Sequence, residues 1–382
     1  MAMTSVNLNL RALCAIFLIT VAADEECSFG FETGLGITVG HDYLYTCNIF
    51  NSTELLSVNR HRPGLNDLDV KFLQYKYDGY YEELDGFHCF SFPNLEQLGI
   101  IDIKVNKIDG QFLKDCRNLK HVFIASNGLT ALPETLFATT ISLEKLHIDH
   151  NDMESLPELI FSNLRQLRDL QIEYTKISSF PPKIFSSLDS LTFLDLIGNK
   201  ITSLNPKWFE NLQKLDHLHM SNNKIVEIPA NAFSSLPKLT YITLARNNIK
   251  SLHSNSFQNL KSLKTLYLSN NDITDFPKNV FKSLESLTFL WIGDNKIKTI
   301  HSDSFGKHSN LVMSGMANNS IEGIDEKFID NVALTHVFLG GNVCIKEDVK
   351  SNDRSVMKEK MKTCFENYRP RVIDDRIRFP EN

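Results

Sequence analysis

The sequence predicts an α/β solenoid, a curved horseshoe with a concave parallel β-sheet and disulfide-capped ends. Two observations support this fold class. One short pattern of leucines, a polar residue and an isoleucine recurs in register along most of the chain. Phenylalanine also recurs every 24 residues without a break, at Phe137, Phe161, Phe185, Phe209, Phe233, Phe257, Phe281 and Phe305. Such strict tandem repetition indicates one supersecondary unit that buries its apolar face against copies of itself.

The repeating unit starts at a leucine and reads L-x-x-L-x-L-x-x-N-x-I-x-x-L/I/F, as in Leu191, Leu194, Leu196, Asn199, Ile201 and Leu204. Apolar positions 4 and 6 alternate with polar positions 3, 5 and 7, which is the period of a strand with one buried face. One strand per unit, always in the same direction, predicts a parallel sheet. The units start at Leu95, Leu119, Leu143, Leu167, Leu191, Leu215, Leu239, Leu263, Leu287 and Leu311, with a truncated last unit from Leu334.

The return segments should be extended or 3₁₀-like, because proline occupies position 15 and is unfavourable inside helices. These prolines are Pro133, Pro157, Pro181, Pro229 and Pro277. We expect the phenylalanine at position 19 to point inward and to stack on that of the next unit. Because strands pack closer together than the bulkier return segments, the stack should bend with the sheet on its concave side.

Asparagine recurs at position 9, where the chain turns away from the predicted sheet and buries backbone groups. Its amide offers two donors and an acceptor, enough to satisfy the N–H and C=O groups of adjacent turns. Ile103 and Thr175 replace it in two early units, where we expect less local order. The asparagines are Asn127, Asn151, Asn199, Asn223, Asn247, Asn271, Asn295, Asn319 and Asn342.

These registered units, which cover roughly residues 70 to 344, resemble the extracellular leucine-rich-repeat family. The layout is also similar to that of short secreted insect leucine-rich-repeat immune proteins, although residues 345 to 382 lack the heptads of the coiled coil that better-known members carry. The resemblance implies a secreted recognition protein that binds an extracellular protein or glycan ligand in innate immunity. A developmental or matrix-binding role fits the same architecture, since a fold does not determine a function.

The amino terminus is typical of a secretory signal peptide. Arg11 precedes the apolar run from Ala12 to Ala22, and we expect cleavage after Ala23. The run is too short to span a membrane, and the polar carboxy terminus argues against a lipid-anchor tail. We therefore expect a secreted, extracellular protein without a membrane anchor. The predicted segments are a signal peptide (1–23), an amino-terminal cap with a degenerate first repeat (24–94), leucine-rich repeats (95–343), a carboxy-terminal cap (344–367) and a polar tail (368–382).

Six cysteines remain once Cys14 leaves with the signal peptide, an even number that suits an oxidising compartment. We expect a charged, helical stretch between Lys346 and Glu366 of the carboxy-terminal cap. A zinc site is the alternative for the cysteines, but the sequence has no C-x-x-C motif or tight Cys/His cluster. The positions predict the disulfides Cys27–Cys47, Cys344–Cys364 (one in each cap) and Cys89–Cys116, between neighbouring return segments.

Two sequons, Asn51-Ser52-Thr53 and Asn318-Asn319-Ser320, match the N-glycosylation pattern. Export would expose both to glycosylation. We therefore predict glycans at Asn51 and Asn318.

Composition and motifs argue against catalysis and against polyanionic partners. Forty basic and 46 acidic residues give a formal charge of −6, without the clustered Lys and Arg that bind nucleic acid or an anionic membrane. The sequence has no nucleophile elbow, no H-E-x-x-H motif and no phosphate-binding loop. We predict that the chain is not an enzyme and uses no cofactor.

Three histidines and three aspartates are predicted to project from the concave sheet: His147, His217 and His219 beside Asp149, Asp169 and Asp195. His219 and Asp195 share position 5 of adjacent strands, about 4.8 Å apart. Such a group could bind a metal, as in a metal-dependent enzyme, or respond to pH. Solvated polar residues on an open sheet are the simpler interpretation, so no metal site is predicted.

Aromatic residues mark the carboxy-terminal half of the same surface at positions 3 and 5. The amino-terminal units are polar there, with Gln97, His121, Lys145 and Gln171. Exposed aromatics gathered on one surface are typical anchors of protein interfaces, although rings also stack across strands for stability alone. The predicted partner-binding residues are Phe193, His217, His219, Tyr241, Tyr267, Phe289, Trp291, Gly315 and Phe338.

The tenth unit predicts a notch in this surface. At position 5 Gly315 stands between Trp291 and Phe338, so the two rings should be ~9–10 Å apart, which is two strand spacings. Ser314 replaces a core leucine in the same unit, and Phe328 comes one residue early. A degenerate repeat beside the cap is therefore the alternative interpretation.

Overall fold

Each repeat contributes one strand to a single large sheet. The computed structural model describes residues 26–30, 44–49, 72–75, 81–84, 89 and 92–370. Within them the main sheet has fifteen strands. Leu194 lies opposite Leu218, which lies opposite Ile242, so pairing keeps strict register at the repeat period. The predicted parallel-sheet horseshoe is confirmed.

Some sequence predictions fall outside the described residues. They are the signal peptide, Asn51, most of the polar tail (371–382) and the side chains of Cys27 and Cys47. The backbone of β1 and β2 is described, and its antiparallel register places Cys27 opposite Cys47.

Most strands are short. In chain order they are β1 (Glu26–Gly30), β2 (Leu44–Ile49), β3 (Phe72–Tyr75), β4 (Tyr81–Leu84), β5 (Gln97–Ile101), β6 (Val105–Ile108), β7 (His121–Ala125), β8 (Lys145–His147), β9 (Asp169–Gln171), β10 (Phe193–Asp195), β11 (His217–His219), β12 (Glu227–Ile228), β13 (Tyr241–Thr243), β14 (Ser251–Leu252), β15 (Thr265–Tyr267), β16 (Phe289–Trp291), β17 (Thr299–Ile300), β18 (Met313–Gly315), β19 (Gly323–Ile324), β20 (His336–Phe338) and β21 (Val349–Lys350). Strands β4 and β6, β12 and β14, and β17 and β19 form two-stranded ribbons, and the others form the main sheet.

The return segments are mostly turns, as the prolines predict. Single 3₁₀ turns occur at Pro206–Trp208 and Ser302–Ser304. The described helices are α1 (Glu326–Asn331), α2 (Arg354–Lys360) and α3 (Lys362–Glu366).

The core is a thin strip between the sheet and the return segments. Leucines and isoleucines at positions 4, 6 and 11 are fully buried. Behind them the position-19 phenylalanines stack, with ring centroids 6.2 Å apart for Phe233–Phe257 and 6.0 Å for Phe257–Phe281. Burying one such ring contributes about 1.5–3 kcal/mol. The predicted phenylalanine stack is confirmed in two runs, Phe137 to Phe185 and Phe209 to Phe305. Phe180 and Trp208 connect the two runs.

The position-9 asparagines form the predicted ladder of shared hydrogen bonds. Nδ2 of Asn247 donates to the carbonyl oxygens of Met220 and Leu244, both at 3.0 Å, and its Oδ1 accepts from the Ile225 N–H at 3.0 Å. Each amide therefore joins its own repeat to the preceding one. At the two replacements, the asparagine of the following repeat still reaches back, although Ile103 and Thr175 themselves do not repeat the bonds to the preceding unit. The Thr175 hydroxyl donates to Asn199 Oδ1, and the Ile103 N–H donates to Asn127 Oδ1.

Position 8 of each unit adopts a left-handed backbone, which the sequence analysis missed. Asn, Asp and Gly tolerate this conformation best, and they occupy seven of the eleven positions, which was the available signal. The reversal turns the chain away from the sheet just before the buried asparagine. The eleven are Asp102, Ser126, His150, Tyr174, Gly198, Asn222, Arg246, Asn270, Asp294, Asn318 and Gly341.

The predicted disulfides Cys89–Cys116 and Cys344–Cys364 are confirmed. In the carboxy-terminal cap the helix begins later than Lys346, because β21 first pairs antiparallel with β20. Helix α2 starts where the Asp353 side chain accepts from the Ser355 N–H at 2.7 Å. A strand therefore seals the end of the sheet, and short helices cover the core behind it.

We predict that Asn247→Ala lowers the free energy of unfolding by about 2–3 kcal/mol, because buried N–H and C=O groups lose their partners. Denaturant unfolding of the purified chain measures this change. Asn248→Ala is the matched control, since Asn248 is exposed and should change stability by less than about 0.5 kcal/mol. Equal losses in both variants would contradict the structural role of the amide.

Candidate functional site

A continuous row of rings crosses the concave face from the fifth repeat to the carboxy-terminal cap. We call this row, formed by Phe193, His219, Tyr241, Tyr267, Trp291 and Phe338, the aromatic ladder. Successive ring centroids are 4.9, 5.0, 5.6, 6.0 and 5.6 Å apart, within the range of favourable ring pairs. Lys350 Nζ lies 5.7 Å from the Phe338 centroid and closes the row at the cap.

The three rings at the carboxy-terminal end of the ladder are stacked face to face, whereas the earlier pairs are tilted or T-shaped. The planes of Tyr267 and Trp291 differ by 5°, and those of Trp291 and Phe338 by 25°. All six side chains are half-buried. In the stacked part of the ladder, ring edges and the Tyr267 hydroxyl therefore face the concave space, while most ring faces are covered.

The predicted notch at Gly315 is wrong. Trp291 leans over this glycine so closely that a methyl group there would overlap its Cε3 and lie 2.7 Å from its Cζ3. The indole thereby reaches Phe338 at a centroid distance of 5.6 Å instead of spanning an empty strand. A missing side chain has let the neighbouring ring cross the gap. Gly315 belongs to this surface because the Trp291 ring packs directly on it.

Two other predicted contact residues lie beside the ladder. His217 stacks on Tyr241 with centroids 5.5 Å apart, and its Nδ1 is 3.1 Å from Asp216 Oδ2. Phe289 is 37% exposed, and no ring contact within the described part of the chain involves it. It adds accessible apolar surface next to the ladder.

Carboxylates border the amino-terminal end of the ladder. We call Asp149, Asp169, Glu173 and Asp195 the acidic cluster. The expected pairing of His219 with Asp195 is confirmed, because Nδ1 of the histidine is 2.8 Å from Oδ2 of the aspartate. The other oxygen of Asp195 accepts from the Ile197 N–H at 2.9 Å. Asp195 therefore fixes the position of the His219 ring in the ladder.

Two carboxyls of the acidic cluster have strongly shifted pKa values. Burial raises the pKa of Asp149 to about 7, although the nearby His147 opposes this shift. Burial also raises the pKa of Glu173 to about 8, and the negative charge of Asp195 adds to the effect. Glu173 was not among the predicted residues. Its signal was its position, since it occupies position 7 one repeat after Asp149.

The histidines and carboxylates do not form a metal site in the described part of the chain. There, no three His, Cys, Asp or Glu side chains converge as ligands of one ion. His147 Nε2 approaches Asp169 Oδ2 at 3.7 Å as a pair only. The geometry therefore gives no support to the metal-dependent alternative.

Comparison with known proteins identifies the repeat. The family model "Leucine rich repeat" matches residues 141–201, 194–249 and 238–297. Residues 141–297 are therefore leucine-rich repeats of this family. No curated protein matches its sequence, and none of the helices within the described residues is long and apolar enough to cross a membrane.

Two solved structures share the fold. One is a TLR13–ssRNA13 complex, with a TM-score of 0.59 and 21% identity over 72% of this chain and 40% of that one. The other is the Toll–Spatzle complex of Drosophila, with a TM-score of 0.59 and 21% identity over 72% of this chain and 42% of that one. The leucine-rich-repeat chain thus spans about 40% of the first of these neighbours. At 21% identity, the structural likeness shows a common fold and nothing more.

We predict that Gly315→Ala displaces Trp291, because the added methyl group overlaps the indole. The fluorescence emission of Trp291 should shift to longer wavelength as the ring leaves its stack on Phe338. Introducing Gly315→Ala into a Trp291→Phe background is the control, since Trp208 is the other tryptophan and is buried. An unchanged spectrum in the Trp291 background would contradict the contact.

A second prediction concerns pH. The unfolded chain releases the protons of Asp149 and Glu173 near pH 4, whereas the folded chain holds them until about pH 7 and 8. The stability that these protonated groups contribute is therefore present in full below about pH 4 and is lost as pH rises toward 8. Asp149→Asn with Glu173→Gln should flatten this decline, so the gain in Tm should be larger at pH 8 than at pH 5.

Glu154→Gln is the control for the pH prediction, because it removes an exposed carboxylate from the same repeat as Asp149. Its Tm difference from the unmodified chain should stay nearly constant with pH. A gain for the double variant that does not depend on pH would show that the two carboxyls keep ordinary pKa values.

Proposed function

We propose that this leucine-rich-repeat protein is secreted and binds another protein on its concave face, through the aromatic ladder. The observation that carries the proposal is the ladder itself, a row of six half-buried rings on an open sheet. Aromatic side chains held rigid by their neighbours make strong anchors because little side-chain entropy is lost on binding. Exposed Phe289 extends the apolar contact area.

A protein fits the ladder better than a glycan does. A sugar that stacks on an aromatic side chain needs a free ring face, and the stacked rings cover one another. Their edges suit apolar side chains and backbone groups of a partner. At the amino-terminal end of the ladder Asp169 and Asp195 of the acidic cluster attract Lys or Arg. We infer that the partner presents apolar side chains to the ladder and a basic segment to the acidic cluster.

Export is supported by the signal-like amino terminus and by the disulfides Cys89–Cys116 and Cys344–Cys364, since such bonds persist in oxidising compartments. The Drosophila neighbour is described as a hub in development and innate immunity and forms a complex with Spatzle. By analogy we propose a role in innate immunity, with a developmental or extracellular-matrix role as the second candidate.

The proposal predicts that Tyr267→Ala with Trp291→Ala weakens partner binding by at least ~2 kcal/mol, or roughly 30-fold in Kd. The partner is first captured from the extracellular fluid of the source with the unmodified chain and identified. Binding of the purified partner to each variant is then measured by calorimetry.

Tyr174→Ala is the matched control, because Tyr174 is 45% exposed and lies outside the ladder. It should retain full affinity. Equal affinities of the double variant and the control would overturn the proposed contact surface. Unchanged affinity together with a lower Tm of the double variant would show that the rings stack for stability alone.

A further inference from the structure

Lysines that are distant in sequence meet along one edge of the solenoid. Lys214, Lys238 and Lys264 line an open groove of about 450 Å³, where the return segments enter β11, β13 and β15. Lys214 and Lys238 both immediately precede position 1 of a repeat, so the 24-residue period places them on neighbouring strands. These lysines do not form a basic run in the sequence, because they lie about one repeat period apart along the chain.

The groove carries an excess of positive charge. No ion pair within the described residues involves its three lysines, whereas the nearby Lys261 is paired with Glu285 at 3.0 Å. One carboxylate, Asp216, belongs to the lining, and both its oxygens are engaged. Oδ1 accepts from the Thr240 hydroxyl at 2.6 Å, and Oδ2 is 3.1 Å from His217 Nδ1. The groove thus has three lysines outside any described ion pair and one carboxylate whose oxygens are both engaged, in a chain whose formal charge is −6.

The remaining lining supplies hydroxyl groups. They belong to Thr240, Ser262 and Ser286, and the lining contains no aromatic or aliphatic residue. The Thr240 and Ser262 hydroxyls donate to Asp216 Oδ1 and to the Pro237 carbonyl, so their oxygens remain as acceptors. Ammonium groups and hydroxyls together bind sulfate and sugar hydroxyl groups well, since they provide charge and short-range donors and acceptors. We propose that this groove binds a sulfated polysaccharide that runs along the edge of the solenoid.

Other polyanions fit the groove less well. Single-stranded nucleic acid gains affinity by stacking its bases on aromatic side chains, which the lining lacks. An acidic protein segment would need apolar anchors, and these are also missing. A linear polysaccharide carries its charges at intervals of a sugar ring, comparable to the ~4.8 Å between neighbouring strands. The repeat therefore offers cations at a spacing that a sulfated chain matches.

The groove is independent of the aromatic ladder. Its lysines lie at position 24 and position 2 of the repeats, before the strands, whereas the rings lie on the strands at positions 3 and 5. A polysaccharide on this edge would leave the concave face open to a protein. The two sites can therefore be tested separately.

Binding of the full chain to heparin, measured by calorimetry at about 0.15 M salt, tests the proposal. Lys214→Gln with Lys238→Gln and Lys264→Gln should weaken heparin binding at least tenfold. The slope of log affinity against log salt should also fall by about two to three, because fewer counterions are released. Heparin from which the sulfate groups have been removed should bind neither the unmodified chain nor the triple variant.

The matched control removes the same charge from the opposite edge, with Lys200→Gln, Lys224→Gln and Lys250→Gln, all exposed. This control should keep most of its heparin affinity. Equal losses in the two triple variants would overturn the groove, since binding would then follow net charge alone. The proposal also fails if the unmodified chain does not bind heparin, or if single-stranded RNA or polyglutamate of similar charge binds as tightly.

Discussion

The fold depends on the buried amide at position 9, because each one satisfies backbone groups of two repeats at once. Asn247 reaches a carbonyl 27 residues back and an N–H 22 residues back, and the same separations recur at Asn271. This bond set requires a constant repeat length. The 23-residue tenth unit shows how a deviation is absorbed. Asn342 makes the same bonds at separations of 26 and 21. The sheet and the asparagine hydrogen bonds therefore stay in register, and the return segment is one residue shorter.

A fixed period also determines the surfaces. Residues with the same position number stand on neighbouring strands, so a sequence feature repeated every 24 residues becomes a spatial row. Rings at positions 3 and 5 become the aromatic ladder, and carboxylates at positions 3, 5 and 7 become the acidic cluster beside it. Lysines near position 1 become the edge groove. The concave face and that edge therefore carry different charge, although the composition of the chain is ordinary.

The elements that repeat were predictable from the sequence, because repetition reports backbone geometry directly. The strands, the asparagine ladder, the phenylalanine stack and two disulfides follow from period, polarity and spacing. The elements that were missed depend on contacts between repeats or beyond them. The cap helix starts late because β21 pairs with β20. The raised pKa of Glu173 arises from burial beside carboxylates on other strands. Neither fact is encoded in a local pattern.

The tilt of Trp291 over Gly315 has a counterpart elsewhere on the solenoid surface. Gly198 repeats the arrangement, since Tyr174 from the previous unit lies over it. A methyl carbon at Gly198 would overlap Tyr174 Cδ1 and lie 2.7 Å from its Cε1. Both rings also stack on a neighbour: Tyr174 on His150 at 4.6 Å, and Trp291 on Phe338. A ring that tilts over a glycine buries apolar area, worth about 25 cal/mol per Å², and gains contacts that an upright ring beside a void would lose. A glycine one period after a large aromatic residue therefore predicts a closed surface with a tilted ring. The concave face therefore carries a row of rings without a gap up to the cap.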